Sequence, residues 1–395
     1  MKKAILGFIG CLAVSTSVTA TDVKHDFGGY WRTRAYIQDN FSGDDTGSSD
    51  KELIDARARI YYTAHVDNAF KFVNKFEIDT AWGDDTAGDI GTDGKAIFEV
   101  KNSYVEFAMK DTIFKIGLQG GAIGRGFLFD DDFAGLNVKF KAGDATIPVT
   151  WVKAVDDDAQ DDDPENNRVG DDDYFAINPT FKLNDKTSLT PYLLFDYSND
   201  DEKSVLFVGA DLDMKLDNWS LWGTAIIQTG DLDADTDTTA FLLAAGAKFG
   251  NIHGQFFYAS GDDDDADSSN DAFVGVDGRS YYWAEIMGYG IFDNQASNNA
   301  PDEEIENIMA FNIGLSHRLS DVTTLQADLW YASLAEGVDI DGDEEKNLGV
   351  EVDLKLSHKI NSAIKLDLVM AYLAAGDATG EEDPIEVGTR LSFGF

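Results

Sequence analysis

Two stretches of the chain carry arginine at every second position. Arg32 and Arg34 share one face of the stretch Tyr30–Tyr36, and Arg57 and Arg59 share one face of Asp55–His65. Successive side chains of an extended strand point to opposite sides, so each pair lies on one face of its strand. We call Arg32, Arg34, Arg57 and Arg59 the arginine ladder. Such guanidinium groups can bind an anionic solute or pair with nearby carboxylates.

Carboxylates with the same alternation accompany the ladder. Asp55, Glu77, Asp79 and Glu99 are expected on the same inner surface of the fold. Two interpretations remain open at this point. Either these carboxylates neutralise the arginines and only make the wall rigid, or the arginines take part directly in moving a solute.

Runs of aspartate are a second cluster of potential ligands. They could coordinate Ca²⁺ through hard oxygen atoms, but none has the twelve-residue spacing of an EF-hand with its glycine and closing glutamate. We therefore predict solvated loop tips that concentrate cations, with no dedicated metal site. The runs are 156–158, 161–163, 171–173, 231–237, 262–265 and 339–345.

Catalytic constellations are not recognisable. The five histidines, His25, His65, His253, His317 and His358, are scattered along the chain. No G-x-S-x-G motif and no glycine-rich phosphate loop followed by lysine occurs. The sequence thus predicts neither an enzyme nor a bound cofactor.

Composition excludes further classes of protein. The net charge of −42 makes nucleic acid an unsuitable partner. A disordered acidic chain is also excluded, because 43% hydrophobic and 12% aromatic residues indicate extensive burial. The only cysteine is Cys11, which lies within residues 1–20. Disulfides and thiolate sites are therefore not expected in residues 21–395.

The elements that position these groups are strands. In the segment 347–357, Leu348, Val350, Val352, Leu354 and Leu356 alternate with polar residues. Eighteen segments of roughly 9–14 residues share this period of two, although two weak ones, near 141–155 and 199–216, leave sixteen open. The period alone does not distinguish a soluble sandwich from a barrel with an apolar outer face.

The connections between the segments decide this question, because short and long ones alternate. Short, compact turns include 66–68, 110–111, 217–218 and 250–251. The nine long connections are rich in Asp, Gly and Ser, and they run about 39–51, 81–95, 120–132, 156–172, 199–203, 230–238, 261–304, 334–346 and 375–384. This asymmetry predicts an all-β, transmembrane, antiparallel up-and-down β-barrel with both termini on the short-turn side.

Both ends of the chain agree with export to the outer membrane. Residues 1–20 combine Lys2 and Lys3, an apolar run and the small residue Ala20, which predicts a signal peptide cleaved near Ala20. Residues 21–395 then form a single barrel domain. The last strand ends at Phe395, on its apolar face, as in bacterial outer-membrane proteins.

The connection 120–132 differs from the other long ones. It reads GGAIGRGFLFDDD, with three large apolar residues that should not extend into water. We expect it to fold into the barrel as a constriction loop, with Arg125, Asp130, Asp131 and Asp132 near the narrowest point. Acidic groups facing the ladder would create a transverse field. The aromatic connection 261–304 is expected to pack over the pore mouth or against a neighbouring subunit.

The stretches 101–140 and 278–288 resemble the homotrimeric general porins of sulfate-reducing and related bacteria. The first reads KNSYVEFAMKDTIFKIGLQGGAIGRGFLFDDDFAGLNVKF and the second GRSYYWAEIMG. The resemblance implies a trimeric, water-filled porin in which 120–132 is the constriction.

The expected function is passive diffusion of small hydrophilic solutes and ions, with mild cation selectivity from the acidic loops. Outer-membrane lipid and lipopolysaccharide would surround the barrel. Two alternatives remain. One is a substrate-specific channel whose arginine ladder binds anionic solutes, and the other is a plugged barrel with a structural or adhesive role.

Overall fold

The fold is seen in a computed structural model of the chain. It describes residues 23–41, 50–66, 69–85, 88–91, 97–143, 145–156, 171–199, 202–263, 268–293 and 299–395. The predicted signal peptide at 1–20 and the aspartate run 161–163 lie outside these residues, as do Asp157, Asp158, Asp264 and Asp265. Within the described residues, no helix has the length and hydropathy needed to cross a membrane.

Nearly all regular structure in the described residues is β-strand. One short 3₁₀ turn, Gly124–Gly126, interrupts the series. The strands are β1 (Lys24–Asp39), β2 (Lys51–His65), β3 (Phe70–Ala81), β4 (Ile97–Met109), β5 (Thr112–Ile123), β6 (Phe129–Ala142), β7 (Ala145–Val155), β8 (Asp172–Ile177), β9 (Phe181–Asn184), β10 (Thr187–Ser198), β11 (Ser204–Leu216), β12 (Trp219–Asp231), β13 (Asp237–Phe249), β14 (Ile252–Ala259), β15 (Ser269–Asn270), β16 (Ile308–Arg318), β17 (Thr323–Ile340), β18 (Asp343–Lys359), β19 (Ile364–Ala375) and β20 (Ile385–Gly394).

The strands close into one barrel. Sequential strands pair antiparallel, and β20 pairs with β1 from Tyr30↔Gly394 to Asp39↔Ile385. Both β8 and β9 pair with β10, so they form one interrupted barrel strand, while the two-residue β15 lies in the long connection after β14. Eighteen strands therefore make up the barrel, which confirms the predicted fold and decides between sixteen and eighteen.

Side-chain alternation separates an apolar outer face from the interior. On β13, Phe241 and Leu243 are 41% and 48% exposed, whereas Ala240 and Leu242, which alternate with them, are almost fully buried. Leu348 departs from the predicted alternation. A register shift beside Gly349, whose φ of 119° suits glycine, turns Leu348 into the interior, where it is fully buried.

Two predicted loops are largely strand. The acidic string 339–345 forms the end of a hairpin, with Asp341 and Gly342 at φ 56° and 94° between β17 and β18. This is the conformation of a tight two-residue hairpin turn. Similarly, the connection 120–132 continues the antiparallel pairing of β5 with β6 from Gly120↔Asp132 to Ile123↔Phe129. Only its tip, 124–128, is a turn.

The interior is filled along most of its wall. The hairpin tip and the connection between β14 and β16, which we call the long loop (260–307), pack onto inward residues of β7 to β19. Phe127 at the tip stacks on Tyr281 of the long loop at 3.8 Å between ring centroids, and neither Phe127 nor Leu128 is exposed. No described residue of β3 or β4 belongs to these buried apolar clusters. In the described part of the chain this apolar packing therefore leaves β3 and β4 uncovered, and a cavity of about 190 Å³ also lies along the inner residues of β5 to β8.

Candidate functional site

The arginine ladder lies on the inner wall of β1 and β2, as predicted. Arg34 donates to both carboxylate oxygens of Asp55, at 2.9 Å from Nε and 2.5 Å from Nη2. This bidentate geometry follows from the pairing of β1 with β2, which places Arg34 directly opposite Asp55. The side chain of Arg34 is 7% exposed, so the pair is held away from bulk water.

The second half of the ladder uses carboxylates of β3. Arg57 donates to Asp79 at 2.8 and 2.7 Å, and Arg59 donates to Glu77. Glu77 also lies 3.2 Å from Arg57 and is 2% exposed. The pairing of β2 with β3 places Arg57 opposite Asp79 and Arg59 opposite Glu77, which produces these contacts. The structure thus brings together three of the four predicted carboxylates.

An unpredicted carboxylate completes the ladder. Asp293, from the long loop, accepts from Arg32 at 2.9 Å and from Arg34 at 2.6 Å. Burial by itself raises its pKa, but Arg34 and Arg32 hold the pKa of Asp293 below its ordinary value of 3.8. Its φ of 55° is left-handed, a region that aspartate adopts more readily than most residues. Four arginines therefore meet four carboxylates, and the ladder together with these carboxylates carries no net charge.

Water still reaches this part of the interior. The side chains of Arg57 and Arg59 are 26% and 28% exposed, and Glu99 on β4 is 47% exposed. Glu99 does not join the ladder, since its described cation contact is Lys101 at 3.7 Å. A cavity of about 190 Å³ adjoins Arg32, Arg34, Asp55, Arg57, Asp79 and Asp84.

The other predicted constriction residues lie apart from the ladder. Arg125 reaches the wall at β11 and β12, where it contacts Asp213 at 2.9 Å and donates to Thr224 at 3.1 Å. Its guanidinium also lies over the ring of Trp222. Arg125 therefore anchors the hairpin tip to the wall.

The three aspartates lie on the return strand of the hairpin. The backbone of Asp130 donates to Gly278 of the long loop at 2.8 Å. The side chain of Asp131 accepts from the backbone of Asp132 at 2.6 Å. Asp132 accepts from Asn102 of β4 at 2.8 Å. None of these contacts involves an arginine, so the three aspartates are separate from the arginine ladder, and a transverse field between the two groups stays a prediction.

The long loop is fixed by carboxylates of the inner wall. Glu351 on β18 is fully buried and accepts from the backbone N–H groups of Ile286 and Met287, at 2.7 and 2.9 Å. Asp353, two residues on, accepts from the backbone of Glu285 at 3.4 Å. The side chain of Glu285 accepts from the backbone of Ile291 at 2.7 Å. These bonds hold the turn that presents Asp293 to the ladder.

Two tyrosines of the long loop stack on each other. Tyr282 is 59% exposed and stacks on Tyr289 at 5.9 Å between centroids. The sequence indicated that this aromatic loop packs over the pore mouth or on a neighbour, but the structure packs most of it inside the barrel. In the sequence, only the high aromatic content of this loop indicated that it is buried.

No group of three or more potential metal-ligating side chains is found in the part of the chain that the structure describes. The aspartates of 171–173 are used instead in ordinary ion pairs and hydrogen bonds, such as Lys153 to Asp171 at 3.1 Å.

The closed barrel with an inward hairpin can be compared with known proteins. No family model and no curated protein matches the sequence. Among solved structures, the chain is similar to the outer membrane protein OpdK of Pseudomonas aeruginosa, with TM-score 0.62 and 11% identity over 94% of this chain and 98% of that one. It is also similar to OprD of the same organism (TM-score 0.59, 13% identity, 94% and 93% covered) and to OccAB4 of Acinetobacter baumannii (TM-score 0.59, 13% identity, 95% and 99% covered).

The chain has the fold of an outer-membrane porin. At these identities the likeness concerns the fold alone, and it extends over the full barrel rather than one part.

Glu303, in the long loop, is expected to titrate near neutrality. Burial raises the pKa of Glu303 in the long loop to about 7, and Asp302 and Glu304 add to the effect. Because the folded pKa exceeds the ordinary 4.5, folding binds a proton here, and this group's contribution to stability decreases as pH rises from 4.5 to about 7. Infrared difference spectra should show a carboxyl band that grows as pH falls through about 7, and Glu303→Gln should remove part of this band. A band that appears only near pH 4.5 would contradict this expectation.

Proposed function

We propose that the chain is an outer-membrane channel through which small hydrophilic solutes and ions diffuse passively. The observation that carries the proposal is the row of charged, solvent-exposed side chains along β2 to β4 inside a closed barrel. A barrel interior lined in this way is the design of a water-filled pore, while the outer apolar face suits lipid. The signal peptide predicted at 1–20 fits delivery to that membrane.

Mild cation selectivity is part of the proposal. The ladder is neutral, so the balance of charge is set by other groups on the solute's path. Glu304 and Glu306, which are 51% and 43% exposed, share the single cation Arg279, so this group keeps one excess negative charge, whereas the exposed Asp213 is paired with Arg125. Together with the net charge of −42, they favour cations at the mouth, and high salt should weaken the preference.

A homotrimer surrounded by outer-membrane lipid and lipopolysaccharide is also proposed. Its support is the resemblance of 101–140 and 278–288 to trimeric porins and the apolar outer wall, on which Phe311 and Ile313 are 52% and 51% exposed.

A plugged barrel is the second candidate function. It is favoured by the long loop, which fills the interior from β7 to β19. The alternative of an arginine track for anionic solutes has less support, because each ladder arginine is already bound by at least one carboxylate.

The test is single-channel recording of the mature protein in a planar lipid bilayer. Large conductance steps that close in thirds, with a reversal potential of cationic sign in a salt gradient, are expected for the proposed trimeric pore. Folded protein that gives no current would favour the plugged barrel. Anionic selectivity would point instead to the arginine track.

A further inference from the structure

The cavity along the inner residues of β5 to β8 is separate from the arginine ladder, which contributes no residue to its lining. Two lysines, Lys115 on β5 and Lys139 on β6, line this cavity together. Buried aromatic side chains line it as well. Binding sites for small solutes commonly join such apolar walls to a few placed polar or charged groups.

We propose that this cavity is a subsite for a small organic phosphate, a dianion that carries one aromatic or apolar group. Lys115 and Lys139 bind the phosphate, and the aromatic side chains hold the apolar group. The inference rests on the proposed channel function and adds a solute class to it.

The pairing of β5 with β6 places the two lysines beside each other. Lys115 lies directly opposite Asn137, so Lys139, two residues further on, is its diagonal neighbour. Both face the interior, as does Phe133 at the same alternation of β6. Diagonal neighbours are about 7–8 Å apart, a distance that long side chains can bridge. Both ammonium groups can therefore reach one anion between them.

The positive charge of this pair is not used up inside the protein. Glu106 lies opposite Lys115 on β4, but its carboxylate is bound by Lys71 at 2.9 Å. Neither Lys115 nor Lys139 forms an ion pair with another residue that the structure describes. Three lysines and one glutamate leave an excess of two positive charges. This excess matches a phosphate monoester, which carries about two negative charges near neutral pH.

An aromatic ring fixes the position of Lys115. Its ammonium group lies 4.3 Å from the ring centroid of Tyr104, on the neighbouring strand β4. A cation over an aromatic face is held there by the ring quadrupole, and its charge is not neutralised. Lys139 is exposed, so its flexible side chain can move toward a bound solute. One lysine thus supplies a fixed charge and the other an adaptable one.

Phe129, Phe133 and Tyr174 form the aromatic part of the lining. All three are buried. Phe129 packs edge-to-face on Phe133, with 5.7 Å between the ring centroids, and on Tyr174, with 6.5 Å between them. Edge-to-face packing is a preferred arrangement of aromatic rings. These rings therefore offer the solute an apolar surface that is already formed.

The size of the cavity limits the solute to one ring. A protein cavity of about 150 Å³ holds benzene, and this one measures about 190 Å³. Asn137 and Thr150 also line it, but they are hydrogen-bonded to each other at 2.6 Å. The charge of the two lysines is therefore the main means of recognising the solute. An aryl phosphate has the size and the charge that fit.

The test uses phenyl phosphate as the probe, at about pH 8, where a phosphate monoester is a dianion. Its block of the ionic current in a planar bilayer is titrated beside three relatives: phenol has no charge, benzoate has one charge, and inorganic phosphate has no ring. Saturable block by phenyl phosphate is expected at a lower concentration than by any of the three.

Charge-removing variants locate the block. Lys115→Met and Lys139→Met should each raise the half-blocking concentration about two- to fivefold, the factor of a partly exposed charge pair. Lys115→Arg should keep the block. Lys248→Met is the matched control, because it removes the same charge from the inner face of β13, outside the lining of the cavity.

Block by benzoate or inorganic phosphate at concentrations as low as for phenyl phosphate would overturn the proposal. Equal effects of Lys139→Met and Lys248→Met would also overturn it, because the overall charge of the interior would then explain the block. If the barrel carries no current, the channel proposal fails, but calorimetric titration of the detergent-solubilised protein with phenyl phosphate still decides the subsite. Binding that Lys139→Met weakens and Lys248→Met leaves unchanged supports it, and no heat of binding in the intact protein contradicts it.

Discussion

Replacing Glu351 with alanine is expected to free the long loop from the barrel wall and to enlarge the conducting path. The carboxylate is fully buried and is the acceptor for the N–H groups of Ile286 and Met287. Each buried N–H left without an acceptor costs about 1–3 kcal/mol. The two together should lower the local stability of the turn by about 2–6 kcal/mol.

Hydrogen exchange measures this loss directly. Because 1.4 kcal/mol corresponds to a factor of ten, the amides of residues 285–291 should exchange at least tenfold faster in Glu351→Ala. In a bilayer, the same variant should show a higher and noisier conductance, since the loop no longer presses against the wall. Glu381→Gln, an exposed position on the β19–β20 connection, is the control and should leave both readouts unchanged.

Two results separate the role of Glu351 in holding the turn from other effects. Faster exchange without a change in conductance would show that the loop lies outside the conducting path. Unchanged exchange would show that Glu351 does not hold the turn. Glu351→Gln adds a graded case, because the amide keeps one acceptor oxygen but directs an NH₂ donor at the other N–H group.

The architecture could be predicted from the sequence because it depends on local patterns. Period-two alternation set the strand faces, and it correctly placed Arg32, Arg34, Arg57 and Arg59 on one inner surface with Asp55, Glu77 and Asp79. The alternation of short and long connections set the up-and-down order. These properties are determined by neighbours in the chain or by adjacent strands, which a pattern can reveal.

Contacts across the interior could not be predicted in this way. Asp293 lies 259 residues from Arg34 in the chain, and nothing in its own stretch distinguishes it from other loop carboxylates. Arg125 was assigned to the constriction with Asp130–Asp132 because they are close in sequence. The turn at Gly124–Gly126, in which Arg125 has φ of 60°, instead directs it to β11 and β12.

Composition was misleading at one hairpin. The string DIDGDEE at 339–345 is acidic enough to suggest a solvated loop. It nevertheless contains Asp341-Gly342, the dipeptide that favours a tight hairpin turn, and the strands continue to both sides of it. The turn signal was present, and the aspartate content obscured it.

Replacing Arg34 with glutamine is expected to destabilise the barrel and to shift its selectivity toward cations. Arg34 binds Asp55 through two donors, Asp293 through a third contact, and the backbone oxygen of Ile291 at 3.0 Å. Removing one partner of a buried ion pair costs about 3–5 kcal/mol. The lower end is expected here, because Asp293 retains Arg32 and is 29% exposed.

The change in selectivity follows from the charge of the ladder. Its four arginines and four carboxylates cancel, so Arg34→Gln leaves one excess negative charge at the ladder and Asp293→Asn leaves one excess positive charge. Reversal potentials in a salt gradient should therefore move in opposite directions in the two single variants. The double variant should return close to the original value while its stability stays low. A shift of the same sign in both single variants would mean that the ladder does not face the ion path, whatever its effect on stability.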